Sequence, residues 1–322
     1  MQRKKLLLVF LLAISLSLTV EGALAAYPER PITWVVTWPA GGRTDTVSRI
    51  FAPALEKILG QPVVVVNKPG AGGVVGAKEV AMAKPDGYTI SLMSISMILT
   101  QYTVPTPTNL KDYVPVAQLL SSPGLLTVHS KAPWNGVKEF VDYAKANPGK
   151  INNGASGTGT SDHLFAAAFQ KAAGIKLTHV PYAGDAPAVA ALAGRHVDSN
   201  FAPMVAVKAF VDAGDMKVLG VASDQKRPLY PKVPTWKEQG VNTFISTFEG
   251  IYAPKGIPAS IVSILEKALE KVVKNPEVIS KIEKIGVELD FKGHNDFVKH
   301  VAEADKMLRE LVEELGLKVA PK

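Results

Sequence analysis

The chain has 322 residues, no cysteine, and 36 Lys and Arg against 29 Asp and Glu, a formal charge of +7. That length accommodates two domains of ordinary size, and the absence of cysteine excludes disulfides, thiolate metal sites and a thiol nucleophile. The basic residues are dispersed and often alternate with glutamate, as in KIEKIGVE, which describes a solvated surface and not the basic aromatic stripe of a nucleic-acid binder.

The opening MQRKKLLLVFLLAISLSLTVEGALAAYPERP has a positive start at Arg3, Lys4 and Lys5. An apolar run over residues 6–20 and the small-x-small group Ala23-Leu24-Ala25 follow. This is the layout of a secretory signal peptide, assigned to residues 1–26, with cleavage after Ala25 or Ala26 and export to the periplasm. The apolar run is short of the ~20 residues that span a bilayer.

Beyond the leader the pattern is strand, loop, helix, repeated. ITWVVTW is β-rich and ends at Pro39. In the following TDTVSRIFAPALEKILG, Val47, Ile50, Phe51, Ala54, Leu55, Ile58 and Leu59 share one helical face, and Gly60 is placed as a stop. Pro53 removes a helical hydrogen bond and predicts a kink or a broken first turn. PVVVVNKPGAGG reads as a buried strand into a glycine turn, VVGAKEVAMAKPDG as a short helix, and YTISLMSISM as another apolar strand. Continuously apolar strands suit a parallel sheet covered on both faces.

YVPVAQLLSSPGLLTVHS is one long strand or two strands at a hinge, and NGVKEFVDYAKANPG is a helix. KINNGASGTGTSDHLFAAAFQKAAG repeats strand, glycine loop and helix. LTHVPYAG, VDSNFAP and MKVLGVAS read as strands, with a short helix in DAPAVAALAGRH. TFEGIYAPKGIP carries the chain back through the hinge to two C-terminal helical stretches. In the last, Phe297, Val301, Ala304, Leu308, Leu311 and Leu315 make a stripe expected to be core. The class is α/β, in two lobes: residues 27–123 plus 252–322, and residues 124–251.

Two loops occupy equivalent places before helices, PAGGRTD and GASGTGTSDH. A helix N-terminus has unpaired N–H groups and a positive dipole end, suited to a carboxylate, phosphate or sulfate. In the first loop Gly41 and Gly42 either let a ligand approach the backbone or only permit a tight turn. Arg43 either pairs with a carboxylate or points to water. Asp45 caps the helix, orients a neighbour or accepts a donor from the ligand. In the second loop Ser156, Thr158, Thr160 and Ser161 offer hydroxyls, with Thr160 or Ser161 also a candidate N-cap. Tyr182, Ala183, Gly184 and Asp185 form a third turn, where Asp185 caps its helix or meets a ligand donor.

Enzyme templates do not fit. Neither loop is a nucleotide phosphate loop, and GASGT lacks the last glycine of a nucleophile elbow. His129, His163, His179, His196, His294 and His300 have no metal-binding spacing. No catalytic residue, metal or cofactor is expected.

The segments YPERPITWVVTWPAGGRTDTVSRI, VVVVNKPGAGGVVGAKEVAMAKPDGYTI, NPGKINNGASGTGTSDHLFAAAF, VPYAGDAPAVAALAGRHVDSNF, RPLYPKVPTWKEQG and FEGIYAPKGIP together resemble one family. It is the solute-binding receptors of the tripartite tricarboxylate transporters, the Bordetella uptake gene family. The resemblance implies a two-lobed periplasmic-binding-protein fold, type II-like, each lobe a mixed sheet flanked by helices around a ligand cleft. It implies a monomeric receptor that delivers a small organic acid to a membrane permease with a large and a small subunit. A periplasmic enzyme acting on a small acid and a ligand-presenting sensor are the alternatives. Carried over from the family, a carboxylate is held by Ala40, Gly41, Gly42, Thr44 and Asp45 and by Ser156, Thr158, Gly159 and Thr160. The turn from Tyr182 to Asp185 closes the cleft.

This chain departs from the family at several points. Ala40 replaces the second of two prolines, and Arg43 stands where a smaller side chain is common, as a second anion clamp or a filler of the pocket. Asn200 and Phe201 stand where many members have an aspartate, which suits a more apolar or aromatic acid. Phe248 replaces a common tryptophan, and Trp38 is expected on the cleft wall.

Overall fold

The structure is a computed structural model that describes residues 27–317 except 104, 159, 183, 224, 244 and 245. The expected leader over 1–26, Gly159 and Ala183 therefore lie outside the described residues.

The first stretch runs β1 (Ile32–Val36), α1 (Arg43–Leu59), β2 (Val63–Asn67), α2 (Val74–Ala81), β3 (Thr89–Ser94), α3 (Ser96–Thr103) and β4 (Tyr113–Pro123). The middle runs β5 (Leu125–His129), α4 (Val137–Ala146), β6 (Asn152–Ala155), α5 (Ser161–Ala173), β7 (Thr178–Pro181), α6 (Asp185–Ala193), β8 (Ser199–Asn200), α7 (Met204–Asp212) and β9 (Met216–Val221). The chain then returns through β10 (Ser246–Pro254), α8 (Ala259–Val273), α9 (Pro276–Lys284), β11 (Glu288–Lys292) and α10 (His294–Glu314).

These strands form two mixed sheets. The first has the order β11-β4-β10-β3-β1-β2 and the second β7-β6-β8-β5-β9. β1 pairs in parallel with β2 and β3, with Trp34 opposite Val65 and Ile90. β6 pairs in parallel with β7 and β8. Parallel pairs need helical crossovers, which is why strand and helix alternate here. β10 runs antiparallel between β3 and β4.

The ambiguous hinge segment is two strands. β4 ends in the first sheet at Pro123, and β5 begins in the second at Leu125. Between them, a Cβ on Gly124 would lie 2.6 Å from the Phe165 ring, so only glycine fits the crossing. The expected lobe boundary between 251 and 252 falls inside β10, whose described pairings are all with the first sheet. Helix α1 continues through Pro53, so its first turn is not broken there.

Burial follows the periodicities. Val47, Phe51 and Leu55 of α1 pack in one core with Trp34 and Val36 of β1 and Leu265 and Leu269 of α8. The α10 stripe is buried at Phe297, Val301, Ala304, Leu308 and Leu311, each large side chain contributing roughly 1.5–3 kcal/mol by leaving water. α10 lies so close to β10 that a Cβ on Gly250 would meet Phe297 at 2.4 Å. Among the described residues no helix is long and apolar enough to cross a membrane.

Candidate ligand cleft

Four connections leave the carboxyl ends of parallel strands and border the space between the lobes: those after β1, β3, β6 and β7. In open α/β sheets that is where ligands bind. A cleft of about 770 Å³ lies there. From the first lobe it is lined by Trp38 and by Ser96, Leu99, Thr100 and Thr103 of α3, with Leu317 from the C-terminal end. From the second it is lined by Ser156, Thr158, Thr160, Ser161, Gly184 and Asp185. Trp38, Ser96 and Thr100 also border a recess of about 20 Å³ beside Met93, Met97 and Tyr113, room for about one water.

The first loop hangs on Asp45, in the opening turn of α1 and only 4 % exposed. One carboxylate oxygen accepts the Gly41 N–H at 2.8 Å. The other accepts from Arg49 Nε at 3.0 Å and Asn67 Nδ2 at 2.9 Å. Asn67 Nδ2 also donates to the Trp38 carbonyl at 3.1 Å. Burial by itself would raise the pKa, but hydrogen bonds from Arg49, Gly41 and Asn67 outweigh it and hold the carboxyl below its ordinary value. Of the three expected roles for Asp45, the geometry is that of orienting its neighbours. Gly41 has φ +80°, a conformation that favours glycine. Ala40, Gly41 and Gly42 are exposed, while the Thr44 side chain is buried. Gly42 is the N-cap of α1 and supplies no side chain to the first N–H groups.

Arg43 pairs with a carboxylate of the protein itself and is not among the residues lining the cleft. Its Nη2 donates to Ser122 Oγ of β4 at 2.9 Å and lies 3.6 Å from Oε1 of Glu249 on β10. The guanidinium is thus paired within its own lobe, against a carboxylate only 4 % exposed.

The second loop hangs on Asp162, wholly buried in the first turn of α5. Its Oδ2 accepts the Ser156 N–H and its Oδ1 the Ser161 hydroxyl, both at 3.2 Å. Burial, and then the neighbouring Asp185 carboxylate, push Asp162 up to about 6. Ser156 Oγ donates to Thr160 Oγ1 at 3.1 Å, and Thr160 Oγ1 donates to the Gly157 carbonyl at 2.8 Å. Thr160 is the N-cap of α5, but its hydroxyl makes no capping bond. Gly184, not Asp185, is the N-cap of α6; Asp185 is in its first turn and on the cleft. The His163 ring stacks on His179 with centroids 3.9 Å apart, and Thr158 Oγ1 is 3.3 Å from His179 Nε2. Burial, with a contribution from His179, lowers His163 to about 4.

Two expected pocket residues are core. Asn200 is wholly buried, its Nδ2 on the Gly154 carbonyl at 2.9 Å and its Oδ1 on the Ala202 N–H at 2.6 Å. Phe201 is wholly buried against Phe169 and Trp236. Neither is among the residues lining the cleft: Asn200 lies in β8, a central strand of its sheet, and Phe201 follows it into the core. Tyr182 is half-buried and packs with the second-lobe core. The sequence reading missed α3, whose Ser96, Thr100 and Thr103 recur at helical spacing on the cleft: its strand YTISLMSISM ends at Met97, one residue past the start of that helix, and Thr100 and Thr103 have no assignment. It also missed Asp162, Glu249 and Ser122. No metal-binding cluster of His, Asp and Glu occurs among the described residues.

Two lobes, a crossing pair of strands and a hydroxyl-lined cleft define a solute-binding protein. Residues 47–317 match the model of the tripartite tricarboxylate transporter family receptor, and the chain belongs to that family. Its members and structural neighbours are solute-binding receptors, not enzymes. A TctC solute-binding protein from Polaromonas is 35% identical with a TM-score of 0.84, over 89% of this chain and 99% of that one. Rpa4515 from R. palustris, solved with adipate, is 28% identical with a TM-score of 0.72, over 90% and 98%. MatC from Rhodopseudomonas palustris, solved with bound malate, is 26% identical with a TM-score of 0.66, over 90% and 100%.

Proposed function

We propose that this protein is a periplasmic receptor that binds a small carboxylate-bearing acid between its lobes. It acts as a monomer and passes the acid to a tripartite permease with one large and one small membrane subunit. The observation that carries this reading is the cleft itself, lined from both lobes at the carboxyl ends of β1, β3, β6 and β7. The carboxylate seat in this reading is the exposed Gly41–Gly42 turn next to Trp38 of the cleft wall, where α1 begins without a side-chain cap. An anion at such a helix end gains about 0.3–1 kcal/mol, and up to ~2 kcal/mol when partly buried. The adipate and malate of the two relatives support a carboxylic acid as the ligand class.

Mechanism is binding and closure. An acid that touches both lobes has a higher affinity for the closed form and shifts the population toward it. The closed form then docks on the permease. Thermal-shift and calorimetric titration with mono-, di- and aromatic carboxylates tests this. At least one class raises the Tm with a concentration dependence set by its Kd. Recovery of the bound acid chemically unchanged separates a receptor from an enzyme. A protein stabilised by no carboxylate, or one that turns its ligand over, overturns the reading.

A further inference from the structure

The cleft is rich in acceptors. Thr100 and Thr103 line it, yet their hydroxyls donate to the carbonyls of Met97 at 3.0 Å and Leu99 at 3.1 Å within their own helix. Across from them, Thr160 donates to the Gly157 carbonyl, Ser161 to Asp162 and Ser156 to Thr160. A hydroxyl has one proton and two lone pairs. With the proton committed, each of these groups offers the cleft mainly its lone pairs.

The charges agree. Among the described lining residues the one charged side chain is Asp185, and there is no lysine or arginine. The two nearest arginines on α1 are occupied elsewhere: Arg43 by Ser122 and Glu249, Arg49 by Asp45 and Asn67. Glu249 cancels Arg43, so the first lobe adds no second anion clamp. Behind Asp185 the buried carboxyl of Asp162 offsets the positive end of α5.

We infer that the ligand carries one carboxylate, seated on the first loop, and at its far end a hydrogen-bond donor, an ammonium, held by Asp185 and the acceptor wall. A dicarboxylate would bring its second anion against Asp185, a like-charge juxtaposition that selects against it. This inference rests on the cleft being the ligand site.

The test is a matched series of four-carbon acids, 4-aminobutanoate, succinate and butanoate, titrated calorimetrically into the wild type, Asp185→Asn and Glu249→Gln. In the wild type the amino acid binds at least ten-fold more tightly than succinate. Asp185→Asn brings that ratio near one and leaves butanoate within about three-fold. Glu249→Gln, which frees Arg43, raises succinate affinity several-fold. Succinate equal to or tighter than the amino acid in the wild type, or a ratio that Asp185→Asn does not move, overturns the inference while leaving a carboxylate receptor standing. If none of the three acids binds, and the wider acid screen is also empty, the cleft assignment falls and this inference with it.

Discussion

The two glycine loops are built on one device and set to different electrical conditions. In each, a buried aspartate in the first turn of the following helix accepts a backbone N–H from the loop: Gly41 to Asp45, Ser156 to Asp162. Asp45 has a guanidinium and an amide as further donors and is held ionised. Asp162 has a hydroxyl as a further donor and an opposing carboxylate, and is raised to about 6. The same local pattern thus holds one carboxyl below its ordinary value and the other above it, and the difference lies in Arg49 within the helix and in Asn67 and Asp185 farther along the chain.

The sharpest way to break this comparison is to remove both aspartates in turn. Asp45→Ala removes the charged acceptor shared by the Gly41 N–H, Arg49 and the Asn67 amide, and a hydrogen bond to a charged group contributes about 1.5–3 kcal/mol. A loss of about 3 kcal/mol in urea unfolding at pH 7 is expected, with carboxylate affinity lost as the seat opens. Asp162→Ala removes a like-charge contact along with its hydrogen bonds and costs much less at that pH. Equal losses would mean that the two loops are held in the same way.

The second jaw has an internal balance that pH separates. Asp162 is raised from 3.8 to about 6, so between those values the folded state binds more protons than the unfolded one, and stability falls as pH rises. His163 is lowered from 6.5 to about 4, so between 4 and 6.5 the unfolded state binds more protons, and stability rises with pH. Adjacent residues therefore oppose each other across nearly one window. His179, lowered by burial, adds to the histidine side; Asp185 is the acid facing Asp162. Urea unfolding at pH 4.5 and pH 6.5 resolves them. Asp162→Asn makes stability climb with pH by on the order of 2 kcal/mol, and His163→Gln makes it decline by a similar amount. Unchanged slopes in both variants would remove the balance.

The legibility of these regions in the sequence follows from distance. The α/β alternation and the α10 stripe were readable because a helix or strand declares burial through its own period. The hinge was readable as one strand or two, and packing of Gly124 against Phe165 makes it two. The β3–α3 break was not readable: SLMSISM is apolar in both strand and helix register. Asn200 and Phe201 read as pocket residues from the resemblance, at a place where many members of the family have an aspartate, but the sheet order that buries them is not local information. Arg43 and Asp162 derive their roles from Glu249 and Asp185, and no short window contains either pair.

The hinge-side ion pair of the first jaw offers a smaller test. Arg43→Ala leaves Glu249 buried without its cation and costs about 2 kcal/mol. Adding Glu249→Gln removes the stranded charge, so the double variant is more stable than Arg43→Ala alone. Urea midpoints for the four corners of the cycle give the coupling. Purely additive effects would show that the 3.6 Å contact carries no energy.

The smallest effect is expected where the second jaw is tied to the first lobe at the surface. Lys171, in the last turn of α5, reaches Glu314 of α10 at 2.6 Å and Glu310 at 4.0 Å. It connects the helix that begins at the second loop to the opposite lobe, and by position alone it resembles a latch. Its side chain is 51% exposed and that of Glu314 52%, so solvent screens the pair and long side chains lose entropy to form it. Lys171→Ala therefore changes stability by less than about 0.5 kcal/mol and acid affinity by less than two-fold. Calorimetric titration at low and high salt is the check. A larger loss that salt reproduces in the wild type would make the surface pair, and not the buried aspartates, the element that sets the second jaw.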